Sequence, residues 1–135
     1  MRKEKILIVD DEKDTLSVLN KRLSMVGFSV IEARTGEDAI RLAKSEHPDL
    51  IILDVLMPGM YGGEIAARLK EEPELKDIPV IFLSCLYSKV ENAAKDPMIG
   101  DYMFVSKPYY VEDLLIEIEK LLWKVPAAGR GGNVS

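Results

Sequence analysis

A chain of 135 residues is long enough for one domain with a proper core. Its apolar and charged fractions, 47% and 30%, are those of an ordinary soluble globule, and a net charge of −5 argues against non-specific binding to nucleic acid or to an anionic membrane surface. A single cysteine, Cys85, excludes an internal disulfide; with no signal-peptide pattern and no apolar run long enough to span a bilayer, a cytoplasmic location is expected.

In chain order, Ile6-Leu7-Ile8-Val9 predicts a first strand that exits into three acids, Asp10, Asp11 and Glu12. Leu16, Leu19, Leu23 and Val26 recur at the spacing of one helix face, and Gly27 closes that helix. Phe28 to Glu32 is shorter and more mixed, which suits an edge strand with one wetter face. Thr35-Gly36-Glu37-Asp38 reads as a capping box for a second helix through Ala39, Ile40, Leu42 and Ala43, which has to stop before Pro48. Leu50-Ile51-Ile52-Leu53 places four large apolar residues in a row, the pattern of a strand buried on both faces. It delivers Asp54 at its exit and turns at Pro58-Gly59.

A glycine-rich loop (Gly59, Gly62, Gly63) then leads to a third helix around Ile65, Ala66 and Leu69, ending near Pro73. Val80 to Leu83 predicts another doubly buried strand, ending at Ser84-Cys85. Between Leu86 and Gly100, Val90, Ala93 and Ala94 allow a helix that Pro97 truncates or kinks. A last strand, Met103 to Val105, leads to Ser106-Lys107-Pro108. The final helix is the clearest: Val111, Leu114, Leu115, Ile118, Leu121 and Leu122 form one stripe, with Glu112 and Asp113 in its first turn and Lys120 and Lys124 at its end, matching the helix dipole. The expected division is one domain over residues 1–125 and a flexible tail or linker stub over 126–135.

Five strands alternating with five helices predict an α/β fold: a three-layer, doubly wound parallel sheet. The mixed second strand belongs at an edge, and an order of 2-1-3-4-5 satisfies this, with its reversal between strands one and three. Ligands sit at that switch point, and if strands one and three are neighbours Asp10, Asp11 and Asp54 converge there. Like charges at such range repel unless one is protonated or a cation joins them. An oxygen-only donor set selects a hard cation, Mg²⁺ before Ca²⁺. A lone Asp after a strand is commonly a helix cap, but capping needs one oxygen and leaves three consecutive acids unexplained. His47, just before Pro48 and far from the acids, reads as surface.

Over residues 4 to 124 this arrangement resembles the receiver domains of two-component response regulators, a flavodoxin-like family. The residues that carry the resemblance are Asp10-Asp11, Asp54, Ser84 and Lys107-Pro108, each at a strand end, and the D-x-x-M-P-G turn from Asp54 to Gly59. The order 2-1-3-4-5 is that of a chemotaxis regulator in this family, so it belongs to the resemblance rather than standing beside it. The resemblance implies a phosphoacceptor, not an enzyme of general turnover. Asp54 would take a phosphoryl group from a sensor histidine kinase or phosphotransfer protein. Mg²⁺, or Mn²⁺ as a substitute, would be held by Asp11, Asp54 and the Leu56 backbone carbonyl, with Asp10 reaching it largely through water. Lys107 would pair with the phosphoryl oxygens, aimed by a cis Lys107-Pro108 bond. Ser84 and Phe104 would form the switch that alters the face of the fourth helix, the fifth strand and the fifth helix for a downstream protein target. No direct nucleic-acid or membrane partner is expected, and a phosphorylation-dependent homodimer is left open.

Some positions depart from the family pattern. Leu56 and Leu86, two residues after Asp54 and Ser84, stand where polar side chains in relatives can orient the hydrolytic water, which implies slow loss of the phosphoryl group. Tyr61 stands where Asp is frequent, and Cys85 where a small alanine is usual. Two enzymes of related design fit poorly: a flavodoxin needs a hydroxyl- and glycine-rich loop where this chain has acids, and a haloacid-dehalogenase phosphatase needs an acid where Leu56 stands. The alternative that survives is an adaptor of receiver fold that binds partners without phosphorylation.

Overall fold

In the computed structural model, which describes residues 4–54, 62–84, 98–99, 102–106 and 110–122, the chain runs β1 (Lys5–Val9), α1 (Lys13–Val26), β2 (Ser29–Ala33), α2 (Gly36–Glu46), β3 (Leu50–Asp54), α3 (Gly62–Lys70), β4 (Val80–Ser84), β5 (Met98–Ile99), β6 (Tyr102–Ser106) and α4 (Val111–Leu122). The sheet order is β2-β1-β3-β4-β6-β5. The pairs from β2 to β6 are parallel, so the predicted 2-1-3-4-5 order holds, with β6 as the fifth strand of that prediction. The two-residue β5 is an addition: it pairs antiparallel with β6, Ile99 opposite Tyr102. The helix expected between Leu86 and Gly100 therefore does not reach Met98, since that residue and Ile99 are extended. Pro97 stands immediately before them. Residues 85–97 lie outside the described residues.

The period of two in the strands explains the three layers. Leu7, Val9, Ile51, Leu53, Val80 and Phe82 point to one face, where they pack with Ala39, Ile40 and Ala43 of α2 and Ile65, Ala66 and Leu69 of α3. Ile6, Ile8, Leu50, Ile52, Ile81 and Leu83 point to the other, against Leu16, Leu19 and Leu23 of α1 and Leu114 and Ile118 of α4. Every residue of β3 is buried, as its unbroken apolar run requires, while β2 is half-buried at the edge. Leu75, in the turns after α3, is also buried and plugs the first core.

Local signals behave as capping rules require, with three corrections. Phe28 is not in the second strand: its N–H donates to the Leu23 carbonyl (3.2 Å) and that of Gly27 to Ser24 (3.0 Å), a Schellman closure of α1. Val26, assigned to the buried face, is 52% exposed because the helix is already closing there. The capping box at Thr35 is half formed: the Thr35 hydroxyl accepts from the Asp38 N–H (3.1 Å), and the Asp38 carboxylate pairs with Arg41 (3.2 Å). Gly27 has φ +113°, yet an added Cβ would meet nothing within 4 Å. Gly27→Ala is thus expected to cost about 1–2 kcal/mol from backbone strain alone, seen as a lower chemical-denaturation midpoint with an unchanged m-value.

One contact at the far end of the sheet sets up the site. The Lys5 N–H donates to the Asp49 carboxylate (2.8 Å), and the Asp49 N–H donates to the Lys5 carbonyl (2.7 Å). These bonds pin β1 against the entry to β3. A slip of one residue between them would turn the side chains of one strand to the opposite face and offset the two exits.

Candidate functional site

With Val9 opposite Leu53, β1 and β3 leave the sheet side by side at their C-terminal ends. Asp10 and Asp54 follow on those exits, and Asp11 comes one residue later. One carboxylate oxygen from each of the three lies within 4.8 Å of the others. Among the described residues, the buried polar or charged side chains are Asp10 (2% exposed) and Asp54 (8%); Asp11 is half-buried. Fully hydrated acids would tolerate such crowding, but acids this far out of water repel more strongly.

The turn that carries the acids is tied at three points. The Asp10 N–H donates to the Ala33 carbonyl at the end of β2 (3.1 Å), extending the sheet register by one residue. One oxygen of Asp10 accepts from the Glu12 N–H (2.9 Å), an Asx turn. The Arg34 guanidinium donates to the Asp11 carbonyl (3.2 Å). The capping role considered for Asp10 is therefore partly real: one of its oxygens organises the start of α1, whose N-cap, Glu12, makes no side-chain cap bond of its own. One oxygen from each of Asp10, Asp11 and Asp54 makes up a hard, anionic donor set with the character Mg²⁺ selects, and among the described residues no softer ligand belongs to the cluster.

The other expected residues divide by position. Ser84 ends β4, one residue beyond the Leu83 that faces Asp54, and it sits opposite Ser106 in β6. Phe104 lies opposite Phe82 in the same ladder. Lys107 and Pro108 follow β6 directly in sequence; they, Leu56, Leu86, Tyr61, Cys85 and the expected tail 126–135 lie outside the described residues. Arg34 and the Asx turn were missed from sequence. The turn had a signal, an Asp two residues before the N-cap Glu12 of α1, whereas the Arg34 contact depends on β2 lying beside β1.

Two helices begin at this same edge. α1 starts directly after the acids, and α4 starts soon after β6. Between them lies a depression of about 350 Å³ lined by Asp14, Thr15, Val18, Leu19 and Val111. An Arg22–Glu112 ion pair (3.0 Å) bridges the same two helices. Among the described residues, no helix is long and apolar enough to cross a membrane.

The sequence model of the response regulator receiver domain family matches residues 6–119. The chain is 36% identical over 134 residues to a probable transcriptional regulator, ycf27, of Porphyridium aerugineum, covering 99% of this chain and 54% of that one. The corresponding protein of Cyanophora paradoxa is 38% identical over 122 residues, 90% of this chain and 49% of the relative. The chain thus spans about half the length of the curated relatives it matches. They are named as transcriptional regulators, so the expected absence of a nucleic-acid partner finds no support in them. Among solved structures, the signal receiver domain of a signal transduction histidine kinase from Syntrophus aciditrophicus superposes with a TM-score of 0.77 at 35% identity, covering 90% of this chain and 92% of that one. The chemotaxis response regulator CheY4 of Vibrio cholerae gives 0.77 at 27% identity, covering 90% and 100%.

Proposed function

The chain belongs to the response regulator receiver domain family, and from that premise we propose that Asp54 accepts a phosphoryl group from a phosphohistidine in a Mg²⁺-dependent reaction. The protein is a receiver of two-component signal transduction, a signalling phosphoacceptor. The observation that carries the assignment of Asp54 is the meeting of Asp10, Asp11 and Asp54 at the switch point of the sheet. A buried carboxylate between two others is a poor nucleophile toward an anionic phosphoryl group unless positive charge is supplied locally.

An oxygen of Asp54 attacks phosphorus while the N–P bond of the donor breaks. The bonding pair returns to the imidazole, which takes up a proton, and an aspartyl phosphate remains. Asp11, Asp54 and the Leu56 carbonyl would hold Mg²⁺, with Asp10 contributing through water; when bound, the ion supplies the charge neutralisation that lets one anion approach another. Lys107 would take the phosphoryl oxygens from the opposite side as a point charge. Ser84 would donate its hydroxyl to the same group, and Phe104 would move inward with it, altering the output face of the fourth predicted helix, β6 and α4 for a protein target.

The histidine-bearing partner has a surface beside the site: the depression between α1 and α4, with Val18 57% exposed at its rim. The protein acts in the cytoplasm in this reading, with residues 1–125 as the receiver and 126–135 as a tail or the start of a linker. Incubation with a small phosphodonor and Mg²⁺ should add the mass of one phosphoryl group to the intact protein, and EDTA should prevent it. An adaptor acting without phosphorylation would show no adduct in either case.

Leu56 and Leu86 give the phosphorylated state its lifetime. Neither can hydrogen-bond a water in line with the phosphoryl group, so self-dephosphorylation is expected to be slow. Replacing Leu56 by Asn or Leu86 by Glu should speed loss of label from purified protein roughly tenfold, short of the roughly hundredfold that a fully positioned general acid or base contributes. Rapid loss from the unaltered protein, with no phosphatase present, would contradict this.

A further inference from the structure

Asp11 is the least anchored of the three acids. Asp10 is fixed by the Ala33 carbonyl and by its own Asx turn, and Asp54 ends a fully buried strand. Asp11 sits beyond the last sheet bond and is half-buried. The contact that reaches its own backbone from across the fold is the Arg34 guanidinium, 3.2 Å from the Asp11 carbonyl. Arg34 is well placed for this. Ala33 before it is buried and paired with β1, and Thr35 after it caps α2, so the backbone on both sides is held.

We propose that Arg34 is a positioning residue for the cation site: by holding the Asp11 carbonyl, it keeps the Asp11 carboxylate on the side of Asp10 and Asp54. This rests on the reading of those three aspartates as a Mg²⁺ site. Arg34 has two effects on a cation there, and they oppose each other. Its charge repels the ion, so removing it for that reason alone would tighten Mg²⁺ binding. Its hydrogen bond preorganises a ligand, so losing that bond weakens binding. The sign of the change therefore decides between them.

The test is calorimetric Mg²⁺ binding to the full chain, to Arg34→Met and to Arg34→Lys. Methionine keeps the apolar reach without a donor; lysine keeps a donor able to meet the same carbonyl. Arg34→Met should bind Mg²⁺ roughly fivefold more weakly, the effect of about one lost hydrogen bond, and Arg34→Lys should recover most of the loss. In phosphodonor labelling, the half-saturating Mg²⁺ concentration should rise for Arg34→Met while the rate at saturating Mg²⁺ stays near that of the unaltered protein. Its metal-free unfolding midpoint should shift by no more than about a degree or two, as for an exposed substitution. Equal or tighter Mg²⁺ binding by Arg34→Met, or a lysine variant as weak as the methionine one, overturns the role of Arg34. Absence of Mg²⁺ binding by the unaltered protein overturns the site itself, and the proposal with it.

Discussion

Asp54→Asn is expected to abolish labelling by a small phosphodonor, lowering the rate by at least roughly a thousandfold because it removes the proposed nucleophile. The same change should leave the fold intact and make the metal-free protein more stable. Asparagine matches aspartate in shape, and it removes one of three charges whose oxygens lie within 4.8 Å of one another. At an effective dielectric suited to a site near the surface, two such charges repel by a few kcal/mol before screening and relaxation, so a net gain of about 1 kcal/mol is reasonable. Loss of function with gain of stability is hard to obtain from a residue that merely supports structure. A labelled Asp54→Asn protein would move the phosphoacceptor elsewhere, and a phenotype unchanged in that variant would favour the adaptor reading.

The second large effect concerns Asp11. At Mg²⁺ tenfold above its dissociation constant, the unaltered protein should gain about 1.4 kcal/mol of stability by linkage. Asp11→Asn removes a proposed charged ligand while sparing the bonds that tie the turn, all of which use backbone groups or Asp10. If its affinity falls tenfold, the gain at the same Mg²⁺ concentration drops to about 0.4 kcal/mol. Thermal melts with and without Mg²⁺ should thus differ by several degrees for the unaltered protein and by little for the variant. Asp10 is the poorer choice for this comparison, since its side chain also holds the Glu12 N–H. Equal Mg²⁺ shifts in both proteins would remove Asp11 from the cation site.

How far these features could be read from sequence depended on whether the signal was local. Ile6 to Val9, Leu50 to Leu53 and Val80 to Leu83 are unbroken apolar runs, and only a sheet covered on both faces can bury them. From those runs the layers and the edge position of β2 follow, while the meeting of Asp10 with Asp54 also needed the strand order that the family resemblance implied. The end of α1 was less legible. Val26 continues the spacing of Leu16, Leu19 and Leu23, but the left-handed Gly27 turns the chain before Val26 can reach the core and recruits Phe28 to the closure. Leu75 fits no period because it packs from a turn. Met98 and Ile99 form a strand only because β6 lies beside them, and pairing of that kind leaves no periodic trace in two residues. In the site, three acids were visible as strand exits, while Arg34 was not. Its contact joins positions 23 apart through the β1–β2 ladder.

The most direct measurement is the chemical identity of the phosphorylated residue. Borohydride reduces an aspartyl phosphate to homoserine, so labelled protein, reduced, digested and sequenced by mass spectrometry, should carry homoserine at position 54 and only when Mg²⁺ was present. Homoserine at another aspartate, or an adduct at position 54 that forms equally well in EDTA, would contradict the account of three acids serving one cation and one phosphoacceptor.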